Sequence, residues 1–475
     1  MRFVLILLLG FAQQPQSAST QIHTIDSLQA AHDTAGLTNA LESWLQSLRP
    51  APDSTLANGT AGIDSAEAQR TLDALTSSQN PPAEADEIPE QVGFIALLLA
   101  LFLVPKILQR YRIPGAITSL VMGFAAASFG LFPNDVTIRL LSTLGIVSLF
   151  LFAGLDIDGK ELRRNLKPLI FHSVVWTALA IFVTIAAVRV LHVQTRMAAL
   201  ISLALVTPST GFILSTLSTF GLSTLEQKTV RTYAIGSELI ALTALFFVLQ
   251  STSAQQLVVS LLAMAAVVFV IPVAFRTFST FIAPYAPRSE FAFLLLVGVA
   301  CAYATRLLGV YYLVGAFIVG VAAQRFRVKH PAMSSEKMVD ALESFGSVFI
   351  PFYFFHAGMG ILAEHISWRA LAVGLLLLLT MVPLRVAVIS LHRRIALKEG
   401  FAVSRRIGSA LVPTLVFTLV ILEILVGRFH LSSTIAGALV IYTVVNTTLP
   451  AFVLKAQPPD FEDVEALPAR ELGTG

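Results

Sequence analysis

Residues 232–250 read TYAIGSELIALTALFFVLQ, apolar almost throughout except for one carboxylate, Glu238, near the centre. A stretch of about 20 apolar residues is what an α-helix needs to cross a hydrocarbon core of roughly 30 Å. A charged side chain at the middle of such a helix costs on the order of 2.5–3.5 kcal/mol on insertion scales. Two questions follow: whether the neighbouring segments are also built for lipid, and what the carboxylate does there.

The first question is answered by composition. The chain has 475 residues, of which 55% are hydrophobic and only 13% charged, with a mean hydropathy of +0.77. Soluble domains carry about 25% charged residues. The deficit is concentrated after residue 90, where apolar stretches follow one another. This pattern excludes a soluble globular enzyme and predicts an all-α polytopic membrane protein. Thirteen transmembrane spans are expected, starting near 91, 113, 137, 167, 196, 229, 255, 289, 310, 341, 367, 404 and 431. The single cysteine, Cys301, lies in an apolar segment, so neither an intrachain disulfide nor a cysteine metal cluster is available. No catalytic residue, resident cofactor or nucleic-acid partner is expected; the partners are the lipid bilayer and transported ions.

Upstream of residue 91 the chain is of another kind. MRFVLILLLGFAQQ places one basic residue before a short apolar run that ends in small residues, which reads as a secretory signal over 1–18. Residues 19–90 are polar; Leu37, Leu41, Trp44, Leu45 and Leu48 fall at helical spacing, and NPPAEADEIPE reads as a linker. The transmembrane domain is expected over 91–455, with a short tail over 456–475.

Basic residues give the orientation. With the N-terminus outside, KILQRYR, KELRRNLK, QRFRVK and HRRIALKEGFAVSRR all fall in cytoplasmic loops. After residue 90 only Arg139, Arg189, Arg196, Arg306, Arg369 and Arg428 fall on the outer side, and Arg385 lies within a span. The asymmetry supports a multi-pass membrane protein with its N-terminus outside and its C-terminus cytoplasmic.

Two other spans are interrupted by proline. In ISLALVTPSTGFILSTLSTFGL, Pro208 stands among Thr207, Ser209, Thr210 and Gly211; in RRIGSALVPTLVFTLVILEI, Pro413 stands among Gly408, Ser409 and Thr414. These are the fifth and twelfth spans, which run in opposite directions. Each neighbours a span with a buried ionisable group, Glu238 in the sixth and Arg385 in the eleventh. Paired broken segments at matching places in two inverted halves point to a transporter's ion site. Unwound backbone there offers carbonyls to a cation and half-helix ends to charges. Glu238 is a candidate ion or proton ligand, with Ser237 and Thr207 as candidate hydroxyl oxygens, or else a structural carboxylate paired with an arginine on a neighbouring helix. Pro208, Ser209 and Pro413 shape the breaks. Arg385 either snorkels to the interface, serves the twelfth-span break, or partners Glu238.

LSTLGIVSLFLFAGLDIDGKELRRNLKP, GVYYLVGAFIVGVAAQ and VFIPFYFFHAGMGI resemble signature segments of bacterial monovalent cation:proton antiporters. The branch they resemble is the second family, of sodium/proton exchangers and potassium-efflux systems, over roughly residues 91–455. The resemblance implies a sodium/proton antiporter fold with inverted repeats and two crossed, unwound helices. It also implies a core that moves against a dimerisation domain, hence a homodimer. Glu238 falls where the family has its essential aspartate, Ser237 at the position before it, Thr207 and Pro208 at the first bend and Arg385 at a basic position. Ser-Glu departs from the usual pair ending in aspartate. The glycine-glutamate-phenylalanine element and nucleotide-binding domain of the potassium-efflux members are absent, so neither glutathione nor nucleotide gating is carried over.

The implied activity is exchange of Na⁺ or K⁺ for protons. Burial disfavours a carboxylate's charged form, so such a group can hold a proton or a bare cation but not both. One carboxylate implies one cation per proton and electroneutral exchange. Two other readings compete with this: a sodium-coupled organic-solute symporter, and a non-transporting sensor or assembly subunit working through residues 19–88. His172 and His356, both within spans, read as helix-packing residues or pH sensors.

Overall fold

In the computed structural model of the chain, the described residues are 90–133, 135–157, 159–164, 166–251, 253–286, 289–307, 312–329 and 336–455. The expected signal peptide, the polar region up to residue 89 and the tail 456–475 lie outside them. Among the described residues all regular structure is helical. The helices are α1 (Glu90–Gln109), α2 (Gly115–Ser128), α3 (Val136–Leu155), the short α4 (Gly159–Arg164), α5 (Leu166–Leu191), α6 (Thr195–Val206) and α7 (Thr210–Thr216). They continue with α8 (Thr224–Gln250), α9 (Ala254–Thr277), α10 (Glu290–Leu307), α11 (Tyr312–Lys329), α12 (Glu336–Met359) and α13 (Trp368–Leu397). Last come α14 (Phe401–Ala410), α15 (Leu415–Phe429) and α16 (Ser433–Val453).

A helical segment stands at each of the thirteen expected places. The described helices long and apolar enough to cross a membrane number nine, or ten when α14 and α15, bent by 44° at their junction, count as one span. The helix α2 and the segment Leu313–Phe326 of α11 are apolar but shorter.

Local chemistry fixes several of the ends. Asp135 accepts from the Thr137 and Ile138 N–H groups at 2.6 and 3.2 Å, satisfying two orphan donors at the start of α3. Ser223 and Glu226 form a reciprocal capping box at the start of α8. At the end of α1, Arg112 takes a left-handed conformation (φ 63°), the Arg112 N–H donates to the Gln109 carbonyl, and the Ile113 N–H donates to the Leu108 carbonyl. That pair of bonds closes a helix C-terminus in the place glycine usually takes.

Packing sorts the helices into two groups. In one, α3 lies along α11 and α12, α2 against α12, and α10 against α11. Backbones approach closely there: a Cβ at Gly123 or Gly145 would run into the carbonyl oxygens of Phe355 and Phe349. Such small-residue contacts substitute dispersion for the hydrophobic effect, which is weak between helices in lipid. In the other group, α13 packs on α16 and α14, α6 on α5 and α15, and α8 on α5. The fifth and sixth spans are mostly buried inside this second group, whereas α9 is mostly exposed. The carboxylate-bearing helix is thus withdrawn from lipid into protein, which lowers the cost of its charge.

Candidate ion site

Both proline segments break the chain where expected. The fifth span is interrupted between α6 and α7 at Thr207, Pro208 and Ser209, the twelfth between α14 and α15 at residues 411–414. The two breaks touch. The Ser209 N–H donates to the Pro413 carbonyl at 2.8 Å, and the Val416 N–H donates to Ser209 Oγ at 3.3 Å. Two helices broken at their midpoints and crossing there leave four half-helix ends, each with unpaired backbone groups in a place water cannot freely supply them.

The last-turn carbonyls of α6 are accounted for one by one. Leu203 accepts from the Thr207 N–H at 3.1 Å and Ala204 from Thr418 Oγ1 at 2.7 Å. Leu205 accepts from the Tyr442 hydroxyl at 2.8 Å and Val206 from Trp176 Nε1 at 3.4 Å. At the end of α14 the Arg385 guanidinium donates to the Leu411 and Val412 carbonyls at 2.8 and 2.7 Å, and to Tyr442 Oη at 3.3 Å. Arg385 is only 2% exposed, so it does not snorkel; of its three readings, service to the twelfth-span break is the one observed. A cation at a half-helix C-terminus is also the favourable sign for the helix dipole.

The half-helix N-termini are met by acceptors. Glu238, 3% exposed, accepts from the Thr210 N–H at 3.1 Å through Oε2, which sets its carboxylate against the first turn of α7. Among the described residues Glu238 forms no ion pair, and Arg385 does not partner it. At the start of α15 the Thr414 N–H points to Asn446 Oδ1 at 3.4 Å, and Asn446 Nδ2 donates to Thr414 Oγ1 at 3.0 Å. The carboxyl group therefore sits at one N-terminus, the guanidinium at one C-terminus, and neutral groups serve the remaining two ends.

Ser237 is placed differently from its neighbour. Its hydroxyl meets His172 Nε2 on α5 at 3.1 Å, and the His172 ring stacks on Tyr233 with centroids 4.0 Å apart. His172, Ser237, Pro208 and Arg385 surround a cavity of about 10 Å³, close to what a single water needs. Thr207 contributes a buried hydroxyl oxygen without a hydrogen-bond partner among the described residues, and the Thr210 hydroxyl lies beside the Glu238 carboxyl. Sequence reasoning did not single out Thr210, Thr418, Tyr442 or Asn446. The run YTVVNTTLP at 442–450, polar within an apolar span, was the available signal for the last two.

A much larger cavity, about 760 Å³, separates the two helix groups beside this crossing. Gly211 and Phe212 of α7 form part of its wall, next to the Thr210 N–H that holds Glu238. It is lined by the ends of α1, α3 and α16 and the early turns of α2 and α8, that is, from one face of the membrane domain.

Residues 94–456 match the family model described as sodium/hydrogen exchanger, transmembrane. The chain belongs to the sodium/hydrogen exchanger family. This exchanger is a secondary transporter rather than an enzyme. It is 24% identical over 382 residues to a Na⁺/H⁺ antiporter of Enterococcus hirae, covering 77% of this chain and 97% of that one. It is 24% identical over 297 residues to the Na⁺/H⁺-K⁺ antiporter GerN of Bacillus cereus, covering 60% and 76%. Its fold is similar to the solved structure of the sodium proton antiporter MjNhaP1 of Methanocaldococcus jannaschii at pH 8, with a TM-score of 0.58 and 16% identity. That likeness covers 76% of this exchanger and 95% of the archaeal chain.

Proposed function

We propose that the protein exchanges Na⁺ or K⁺ for protons, and that cation and proton compete for the Glu238 carboxylate. The observation that carries this is a buried carboxylate at a helix break, held by one backbone N–H and no basic side chain. A carboxylate with a permanent counterion has little reason to take up another cation; this one needs a proton or a cation to leave its buried charge neutral. The buried Thr207 and Thr210 hydroxyls are neutral oxygens of the kind that complete a monovalent cation's shell. Ser237, turned to His172, acts by holding α8 against α5 rather than as a direct ligand.

One carboxylate in the site carries one charge per half-cycle, so exchange is electroneutral. The 760 Å³ cavity is the route from one membrane face, and movement of the α5–α8 and α13–α16 group against the α2–α3 and α10–α12 group closes it. The working form is a homodimer in a bacterial inner membrane. The cavity face is cytoplasmic, the N-terminus is outside after signal removal, and the C-terminus is inside.

The test is cation-driven proton flux in proteoliposomes across Li⁺, Na⁺, K⁺ and Rb⁺, with and without a clamped potential. Wild type should respond to Na⁺ or K⁺ independently of potential, and Glu238→Gln should be silent. Full exchange by Glu238→Gln, or strong voltage dependence in wild type, would sink the proposal.

A further inference from the structure

The large cavity has a charge that its place on a cation route does not explain. Lys106, Arg112 and Arg231 line it, from the end of α1, the α1–α2 turn and the second turn of α8. None of the three forms an ion pair with a described residue. The acidic residue on the wall is Asp156, which has an interaction of its own. The rest of the lining is largely apolar, including Leu101, Phe102, Ile113, Leu149, Phe152 and Phe354. A vestibule for Na⁺ or K⁺ gains nothing from three cationic groups, which lower the local cation concentration.

Apolar walls under a basic rim, at the end of transmembrane helices, suit one ligand chemistry: an anionic headgroup attached to a hydrocarbon chain. We propose that this cavity binds an anionic phospholipid. Its phosphate is held by Lys106, Arg112 and Arg231, and part of an acyl chain lies against the apolar wall. The volume is within the roughly 300–1,000 Å³ of small-molecule sites, enough for a headgroup and part of one chain. Basic pockets between transmembrane helices on the cytoplasmic side recognise lipid headgroups in this way, and this cavity is on the side to which the basic loops assign the cytoplasm. A soluble phosphate would use the basic rim but leave the apolar wall unmatched, which is why the lipid is preferred.

A functional consequence follows, and it rests on the exchange reading above. The cavity must close for Glu238 to reach the other side, so a lipid in it binds one facing state and not the other. Such a ligand shifts the population toward the state it occupies. Anionic lipid therefore slows turnover, and the headgroup charge sets how strongly.

The experiment uses the full-length protein and the variant Lys106→Gln/Arg112→Gln/Arg231→Gln. Phosphatidylglycerol retained through detergent purification is counted by native mass spectrometry, and Na⁺-driven proton flux is compared in phosphatidylcholine vesicles with and without phosphatidylglycerol. A single basic group near an anionic headgroup contributes roughly fivefold in affinity, so losing three should weaken retention on the order of a hundredfold. Wild type should retain phosphatidylglycerol and run several-fold slower in its presence, while the triple variant should retain none and run at one rate in both vesicles. Arg163→Gln/Arg164→Gln, on α4 and outside the cavity, is the control for diffuse surface attraction. Equal retention by wild type and the triple variant overturns the proposal, as does equal loss of lipid sensitivity in the α4 control. Slowing by inorganic phosphate in phosphatidylcholine vesicles would reassign the rim to a soluble anion and also overturns it. Retention is read without transport, so exchange that survives in Glu238→Gln refutes the ion-site reading and leaves the lipid result standing.

Discussion

Arg385 is the place where the structure makes its most quantitative commitment. Replacing it with methionine keeps the aliphatic volume and removes two charge-assisted bonds, to the Leu411 and Val412 carbonyls at 2.8 and 2.7 Å. Both carbonyls lie at the C-terminal end of α14 among wholly buried residues. Each buried carbonyl left without a donor costs about 1–3 kcal/mol, so the variant should lose about 2–6 kcal/mol. Arg385→Lys retains a charge at the dipole end but has no planar fork, so it reaches one carbonyl well and should lose about half as much. For a helical domain of this size a kilocalorie corresponds to about 1–2 °C in Tm, extending the known size scaling. The expected order is wild type, then Lys, then Met, with Met lower by about 2–12 °C.

Trp176 is a reporter at the right place, because its Nε1 donates to the Val206 carbonyl on the neighbouring half-helix. In a Trp44→Phe/Trp368→Phe background it is the remaining tryptophan, and its fluorescence in detergent follows the crossing directly. A second arm combines Arg385→Met with Glu238→Gln. If the arginine serves backbone carbonyls and not the carboxylate, the two stability effects add within about 0.5 kcal/mol. An unchanged Tm in Arg385→Met would refute the capping account, and a coupling well above 1 kcal/mol would reassign the guanidinium to Glu238.

Ser237→Ala should keep the cation KM within about twofold and cost about 1–3 kcal/mol of stability, because it strips His172 Nε2 of its partner; a tenfold rise in KM with unchanged Tm would make the hydroxyl a direct ligand. Competition at Glu238 requires that acid raise the apparent KM for Na⁺, by about tenfold per pH unit once the carboxylate is mainly protonated, while kcat at saturating Na⁺ holds. Flux measured on a grid of pH and Na⁺ checks this, and a fall in kcat at constant KM counts against it. Gly145→Ala should lower the yield of folded protein on size-exclusion chromatography, since the added methyl meets the Phe349 carbonyl and overpacking costs about 1–3 kcal/mol; normal yield would show that α3 and α12 can separate at that point.

The sequence made one side of this site legible and hid the other. Glu238 and Arg385 stand out because each violates an apolar pattern, and the cost of burying them demands an explanation wherever the chain goes. Pro208 and Pro413 stand out because proline removes an N–H and breaks the helical ladder. What a linear reading could not supply is who repays each cost. Arg385 had three candidate partners, and only the approach of α14 to α13 selected the Leu411 and Val412 carbonyls. Thr418 looks like an ordinary member of an apolar helix, and the polar run at 442–450 does not say what Tyr442 serves; their hydroxyls matter because α6 ends beside them. Adjacency in sequence suggests a shared site for Ser237 and Glu238; neighbouring residues on a helix point about 100° apart, and the contact that only the fold supplies is the one from the Ser237 hydroxyl to His172 on α5.

The bonds that close the fifth-span break also say when it can be closed. The Ala204 carbonyl takes its donor from Thr418 and the Leu205 carbonyl from Tyr442, separations of 214 and 237 residues along the chain. At synthesis rates of about 5–20 residues per second, roughly 10–50 s pass between the making of the acceptors and the making of their donors. Throughout that interval the nascent α6–α7 segment is in or near the bilayer with carbonyls that its final partners cannot yet reach. It must remain hydrated, or bridge Pro208 as a kinked continuous helix, and adopt its broken form only when the last spans arrive. The broken form of the fifth span is therefore a late product of biogenesis. Chains truncated before Tyr442 should be recognised as incomplete at their centre, by the quality-control proteases of the membrane, even with the earlier helices of the Glu238 group already inserted.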